Sequence, residues 1–437
     1  MYPVIGIASL CCILLIFTVL KSPVIKLGRY HIKIFYWMPP LLGAIVLMVS
    51  RLLPMSSVLT GLTSSGSINP LKILILFISM TILSIFLDEA GLFSFLASLA
   101  LTKAGASQKK LFLILFVMVS VLTVFTSNDI IILTFTPFIC YFSKKANINP
   151  IPYLFGEFVA ANTWSMLLII GNPTNIYLAT AAGITFGSYT LTMLIPTFFA
   201  GLTALGMLLL IFRKPLSEPI TLASDVSKLK DKGMIIIGVI HLAICTVLLV
   251  ISSYVGLEMW YITLGFAVSL FISITIYKKI KRSKEHILLH TFLRAPWELI
   301  PFVLSMFLLV LGLEQYEVTS KICTALGENL LIPKYGFLSF LSANIMNNIP
   351  MAVAFSSITG NLPAASMLPA TYASIIGSNI GAYFTPLGAL AGIMWTGILG
   401  RMGIKLSFGK YISYGSRISI PVMTAALLGL MLSLFII

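Results

Sequence analysis

The residues of this chain whose types and spacing suit chemistry are short polar clusters set inside long apolar runs. Ser127, Asn128 and Asp129 interrupt an apolar stretch from Leu111 to Phe142, and Asn344, Asn347 and Asn348 interrupt a second from Tyr335 to about Met367. Two further apolar stretches break at Gly171-Asn172-Pro173-Thr174-Asn175 and between Gly381 and Gly388, a segment that contains Thr385 and Pro386. Irregular backbone inside hydrocarbon leaves N–H and C=O groups unpaired, at several kcal/mol each, unless protein, water or a ligand satisfies them. Freed carbonyls can coordinate a cation, and exposed helix N-termini favour an anion or oxyacid. The chemistry to expect is reversible binding rather than bond making. The five cysteines (Cys11, Cys12, Cys140, Cys245, Cys323) lie scattered with no CxxC spacing, so they suggest neither a metal site nor a disulfide framework. No His, Ser or metal constellation of an enzyme is apparent, and no resident cofactor is implied beyond Na⁺ as a coupling ion.

Each candidate has a plain structural alternative. Asp129 is a carboxylate at a hairpin tip, and a carboxylate at membrane depth is a functional hypothesis by default; the alternative is a cap for the following helix. Ser127 and Asn128 would line the same site. Asn347 and Asn348 are their counterparts, with an Asn ladder holding the turn as the alternative. Asn172, Thr174 and Asn175 flank Pro173, so a simple turn competes with a site. Their place in an over-long apolar run, paired with Thr385-Pro386, favours the site. Gly171, Gly381 and Gly388 would permit close backbone approach. A coupling ion is expected near Asp129, Asn128, Gly171, Asn344 and Gly381. Glu157 is a candidate proton carrier, with snorkelling or pairing to Lys144 or Lys145 as equal alternatives. Asp88 and Glu89 suit an interfacial structural role, and Trp164, Trp297 and Trp395 suit packing or interface anchoring.

The elements that must position these residues are membrane helices. Of 437 residues, 59% are hydrophobic and 9% charged, against about a quarter charged in soluble domains. Apolar runs near twenty residues match the hydrocarbon thickness of a bilayer. The polar connections are too short for a soluble domain, so the chain reads as one membrane domain spanning 1–437. The first apolar run lacks a basic stretch before it and a cleavage site after it, which reads as a retained helix rather than a signal peptide. The net charge of +15 does not indicate a nucleic-acid partner, because 24 of the 28 Lys and Arg fall in alternate short loops. That distribution is the positive-inside pattern, and it places the N-terminus outside a bacterial inner membrane.

The same order occurs twice: a polar hairpin tip, a broken helix, then a short signature. Asn128-Asp129 matches Asn347-Asn348, Asn162 matches Asn379, and Phe186-Gly187-Ser188-Tyr189 matches Phe408-Gly409-Lys410-Tyr411. By loop parity the first hairpin enters from the cytoplasm and the second from outside. The fold expected is all-α and polytopic, with inverted repeats, each holding a re-entrant hairpin and a discontinuous transmembrane helix. Such paired breaks point to a transporter's binding site. The segments are N-terminal helices (1–110), a first core (111–212), linking helices (213–295), a second core (296–417) and a final helix (418–437).

At these motifs the chain resembles the ion-transporter superfamily of arsenite permeases, divalent anion–sodium symporters, sodium–proton antiporters and citrate–metal transporters, and is most like the arsenite permease branch. The resemblance is carried by Phe86-Leu87-Asp88-Glu89-Ala90-Gly91-Leu92-Phe93, Ser127-Asn128-Asp129 with Thr136-Pro137, Asn344 through Pro350, and Gly381 followed by Thr385-Pro386-Leu387-Gly388. It runs in order from about residue 55 to 415. Permeases usually carry an acidic residue where this chain has Asn162, and Pro-Lys-Ile where it has Ala382-Tyr383-Phe384. The resemblance implies a secondary transporter of arsenite, antimonite or a similar small oxyacid or anion, working by alternating access and coupled to H⁺ or Na⁺. A sodium-coupled carboxylate or sulfate-type anion symporter and a sodium–proton antiporter are the alternatives. The partners are the solute and the lipid bilayer; a homodimer and an ATPase partner stay open, although the chain has no P-loop of its own.

Overall fold

The computed structural model describes the chain except residues 22–23, 28–29, 64–68, 220–230, 253, 283–284 and 437. Helix α1 (Tyr2–Lys21) is followed by two short antiparallel strands, β1 (Val24–Leu27) and β2 (Tyr30–Lys33), in the first basic loop. Then come α2 (Met38–Val49), α3 (Met55–Thr63) and α4 (Pro70–Glu89). Asn69 starts α4: its side chain accepts from the backbone N–H of Leu71 at 3.0 Å and of Lys72 at 3.2 Å, with Pro70 at the first helical position. Nearly all of α4 is buried, so it lies between other helices and not against lipid.

After α5 (Leu92–Ala104) come the helices of the first core, α6 (Gln108–Phe125), α7 (Asn128–Lys145), α8 (Ile151–Trp164), a single 3-10 turn (Ile169–Gly171), α9 (Pro173–Ala181) and α10 (Phe186–Ile211), and then the short α11 (Arg213–Leu216). The linking helices are α12 (Lys232–Ile251), α13 (Met259–Lys281) and α14 (Ile287–Arg294). The second core begins with α15 (Leu299–Gln315) and α16 (Val318–Leu326). It continues through α17 (Leu331–Met346), α18 (Asn348–Gly360), α19 (Ala364–Gly381) and α20 (Leu390–Arg401), and α21 (Phe408–Ile436) closes the chain.

Among the described residues, seven helical segments are long and apolar enough to cross a membrane. Helices α8, α9, α18 and α20 have only 14, 9, 13 and 12 residues. At 1.5 Å per residue the longest of these reaches about 21 Å, short of a bilayer's roughly 30 Å. Helices α8 and α9 are the halves of one interrupted helix, α20 is the second half of the other, and α18 is the second arm of a hairpin. The two hairpins differ in length: α6 and α7 have 18 residues each, whereas α17 and α18 have 16 and 13. Of these four helices α6 alone meets the length and composition of a full span, its first turn at Gln108–Lys110 extending the apolar stretch.

Packing follows a matched pattern in the two cores. Helix α6 packs on α8 as α17 packs on α19, and α7 packs on α8 as α18 packs on α19. Across the cores α7 meets α20, and α18 meets α9. The pair α10 and α21 packs along its length, with Ser433 donating to the Thr192 carbonyl at 2.8 Å. Around this unit lie α1, α2, α4, α12, α13 and α15, of which α12 and α13 are mostly exposed on their apolar outer faces.

Candidate functional site

The two interrupted helices meet at one side chain, Asn379. Its Oδ1 accepts from Ser165 Oγ at 3.0 Å and from Asn172 Nδ2 at 3.0 Å, and its Nδ2 donates to Asn175 Oδ1 at 2.7 Å and to the Ile375 carbonyl at 2.8 Å. A carboxamide offers two donors and two acceptor lone pairs, so this one is saturated. Asn172 also caps α9, accepting from Thr174 N and Thr174 Oγ1, both at 3.1 Å. Asn175 Nδ2 donates to the Ser165 carbonyl at 2.8 Å, the group freed where α8 ends. All five residues are buried. Asn172, Thr174 and Asn175 therefore spend most of their polar capacity on the seam between the cores.

The first break begins at Ser165, six residues before the Gly171-Asn172 expected from sequence. The second opens after Gly381, as expected. Glycine is required in both: a Cβ on Gly171 would lie 2.2 Å from the Ser165 carbonyl oxygen, and one on Gly388 would lie 2.2 Å from the Gly381 carbonyl oxygen. In the second break Asn344 Nδ2 donates to the Gly381 carbonyl at 3.0 Å, and Asn344 Oδ1 accepts from Thr385 N at 3.1 Å and Thr385 Oγ1 at 2.7 Å. The Pro386 carbonyl lies where a Cβ on Gly392 would be 2.7 Å away. Thus asparagine donors engage the freed carbonyls of Ser165 and Gly381.

The hairpin tips are built differently. Thr126 and Ser127 are both extended, and Asn128 starts α7 with its Nδ2 donating to Asn162 Oδ1 at 3.0 Å. Asn162, where permeases usually carry an acid, is here an acceptor for the tip, held by its own Nδ2 on the Phe158 carbonyl at 2.8 Å. At the second tip a single residue, Asn347, makes the turn at φ +77°, ψ 156°. That region is almost confined to glycine and costs on the order of 1–3 kcal/mol; Asn347 Nδ2 donating to the Leu387 carbonyl at 3.1 Å helps hold it. Asn348 Oδ1 and Ser127 Oγ are buried and have no hydrogen-bond partner. Buried orphans of this kind are uncommon.

Ser127 and Asp129 line a cavity of about 580 Å³ between α7 and α20 on one side and α4, residues 34–36 and residues 293–299 on the other. The Asp129 carboxylate has no hydrogen bond or ion pair among the described residues. Three lining residues have charged side chains: Asp129, Glu298 and Arg294. The Arg294 guanidinium is already engaged, donating to Asp88 Oδ2 at 2.8 Å and to Glu89. Asp88 and Glu89 thus take the structural role expected of them. On the far side of the core, α9 and α18 face α4 and α15 across smaller spaces, about 20 Å³ lined by Pro173, Thr174 and Ile349 and about 160 Å³ lined by Tyr177, Glu314 and Ser356.

Glu157 lies away from this cavity. It is buried on α8 and accepts from Thr136 Oγ1 on α7 at 3.1 Å and from Trp395 Nε1 on α20 at 3.3 Å. Trp395, expected to pack or to anchor at an interface, is buried and also bonds a carboxylate. No group of three His, Cys, Asp or Glu able to hold a metal is present among the described residues.

The profile of the citrate transporter family matches residues 12–377. The chain belongs to that family. It is 29% identical over 378 residues to the arsenical pump membrane protein of Escherichia coli K12 and 30% identical over 380 residues to that of Yersinia enterocolitica, covering 82% of this chain and 85% of each relative. The crystal structure of the Alcanivorax borkumensis YdaH transporter covers 100% of this chain and 98% of its own at 13% identity, with a TM-score of 0.48. As a family member with several apolar spans the chain is a multi-pass membrane transporter.

Sequence reasoning noted Asn379 only as the repeat partner of Asn162, and it missed Ser165, Arg294 and Tyr36, which lines the large cavity. Pairing of the two breaks made Asn379 findable, since an Asn in a mostly apolar run needs a partner. Ser165 and Tyr36 carry no local signal.

Proposed function

We propose that this protein is a secondary active transporter of a small oxyacid that is uncharged at neutral pH, of which arsenous acid is the type, working by alternating access. The observation that carries the reading is the charge of the large cavity. Its one cationic side chain among the described lining residues, Arg294, is taken by Asp88 and Glu89, while Asp129 and Glu298 stay free of ion pairs. A di- or tricarboxylate entering there would meet like charge in a low-dielectric space, where repulsion is strong. A neutral polyhydroxy acid would find the hydroxyls of Tyr36, Thr81 and Ser127 there, with Ser127 Oγ unpartnered. The names of the two enterobacterial relatives point the same way.

Alternating access is supported by the matched packing of the cores, read as inverted repeats with opposed hairpins. The contrast of about 580 Å³ at α7–α20 with about 20 and 160 Å³ at α9–α18 supports a conformation more open on the first side. The open side faces the basic first loop and Arg294, which the positive-inside pattern assigns to the cytoplasm. The unit bearing both breaks would move against α4 and α15, with Ser127, Asn128, Asn347, Asn348 and Thr385 presented to solute. Asp129 would couple the driving ion. A sodium-coupled carboxylate symporter is the second reading, favoured by the family's description.

Counterflow of labelled arsenite and labelled citrate into proteoliposomes, with and without Na⁺, tests the assignment. Arsenite exchange independent of a citrate competitor is expected. Sodium-dependent citrate exchange with no arsenite exchange would replace this reading by the second.

A further inference from the structure

Helix α7 carries more than the tip residue Asp129. Residues 129, 133, 136, 140 and 143 recur at spacings of three and four, which places them on one helical face. The face begins with Asp129 and Leu133 in the large cavity. It continues with Thr136, Cys140 and Ser143, all buried, and ends beside Lys144 and Lys145, both exposed. Thr136 lies seven residues past Asp129, roughly 10 Å along the axis. There its hydroxyl reaches both carboxylate oxygens of Glu157, at 3.1 and 3.2 Å.

Both hydrogen-bond partners of Glu157, Thr136 and Trp395, are neutral. Its surroundings are aromatic, with Phe158 and Trp395 ring centroids 5.0 Å apart and Phe155 and Trp395 5.6 Å apart. An ionised carboxylate without a counter-charge is costly in such a place, and a buried acid that persists at membrane depth marks a proton or ion pathway by default. The other titratable groups facing it are few. Cys140 faces it from α7 and Tyr153 stands one turn away on α8. From α21 the Tyr411 ring lies 5.8 Å from that of Trp395. On α10 and α19, Tyr189 and Tyr372 pack on each other with centroids 6.0 Å apart. The charged residues Lys109 and Lys110 of α6 and Arg401 of α20 are exposed at helix ends. Ser143 Oγ and Tyr411 Oη, buried beside this seam, have no hydrogen-bond partner.

We propose that Glu157 is a proton-binding site of the transport cycle, distinct from the cavity carboxylate Asp129, and that it exchanges its proton along the Thr136–Cys140–Ser143 face of α7 with water at the basic end. The step is a single protonation: the Glu157 carboxylate takes one proton from bulk water and returns it, with no other bond changed. Glu157 bridges α7, α8 and α20, so the charge it carries acts on the joint between the first hairpin and the second broken helix. This inference rests on the transport reading above.

Purified wild-type protein, Glu157→Gln and Asp129→Asn test it in two ways. Infrared difference spectra across neutral pH should show a protonated-carboxyl C=O band in wild type and Asp129→Asn that is absent from Glu157→Gln. In proteoliposomes Glu157→Gln, a mimic of the neutral acid, should lose at least tenfold of the accumulation driven by a pH gradient, read against the variant's own arsenite counterflow. A wild-type spectrum in which no band attributable to Glu157 changes with pH, or gradient-driven accumulation intact in Glu157→Gln, would overturn the proposal. Absence of arsenite counterflow in wild type would instead sink the substrate reading, and the spectra would still decide on Glu157.

Discussion

Asn379 and Asn175 face each other across two helix interruptions, with Nδ2 of the first donating to Oδ1 of the second at 2.7 Å. The residues are 204 positions apart in sequence, and their contact joins the two cores at the points where each loses its helical hydrogen bonds.

Asn379→Ala should be among the most destabilising single changes in the protein. It leaves Asn172 Nδ2 and Asn175 Oδ1 buried and facing no partner, each costing about 1–3 kcal/mol, while Ser165 Oγ keeps the Asn162 carbonyl at 2.9 Å. A marked fall in thermal midpoint in detergent is expected, with loss of transport. Asn379→Asp should do little better, because it sets a carboxylate oxygen against Asn175 Oδ1. An alanine variant as stable as wild type would show that the seam contributes nothing.

Asp129→Asn should separate folding from function. The carboxylate supports no hydrogen bond, so stability should stay within about 0.5 kcal/mol of wild type, as for changes away from structural features. Ion-driven accumulation in proteoliposomes should fall at least tenfold. Unchanged accumulation, with unchanged dependence on pH and Na⁺, would remove Asp129 from the coupling site.

Gly171→Ala and Gly388→Ala should each disrupt a break, since the new Cβ would lie 2.2 Å from a backbone carbonyl oxygen. Neither neighbour is a flexible side-chain end, so a loss of about 1–3 kcal/mol or more is expected. Gly206→Ala, on the exposed face of α10 with no atom within 4 Å, is the control. It should stabilise by roughly 0.5–1 kcal/mol. Yield and thermal midpoint of the three variants give the comparison.

At the second tip, Asn347→Gly should be more stable than Asn347→Ala by about 1 kcal/mol. Both lose the bond to the Leu387 carbonyl, but only glycine adopts φ +77° freely. Equal thermal midpoints for the two variants would mean that the tip is not held in this conformation in the membrane protein.

Asp231 gives a pH-dependent term outside the spanning segments. It caps α12, accepting from Gly233 N at 2.8 Å and Met234 N at 3.3 Å, and accepts from Tyr277 Oη at 2.8 Å. Slight burial raises its pKa, but the Tyr277 hydroxyl, the two amides and Lys281 outweigh that and hold it below the usual carboxylate value. A depressed carboxylate contributes its stability above the unfolded pKa of about 4 and loses it as pH falls further. Asp231→Ala should cost about 1 kcal/mol at neutral pH, typical of a cap, and the difference from wild type should shrink below pH 4. A difference constant with pH would assign the effect to helix propensity alone.

The sequence by itself determined the membrane setting, the order of helices and the positions of both hairpin tips. These are local properties: apolar length, loop charge, and polar residues that end a helix wherever they occur. Asn172-Pro173 was equally legible, although as a helix start. Asn172 caps α9 and Pro173 occupies its first turn, so the motif marks the end of the break. Its beginning at Ser165 was decided only in the folded protein, because the partners that satisfy Ser165, Asn175 and Asn379, come from beyond the break and from the other core. Tertiary structure likewise decided that the Asn172–Asn175 cluster is saturated by Asn379 while Ser127 and Asp129 face a cavity. Both places hold short polar side chains in apolar surroundings. What differs is whether another helix brings a donor or acceptor within about 3 Å, and that depends on packing between segments some two hundred residues apart.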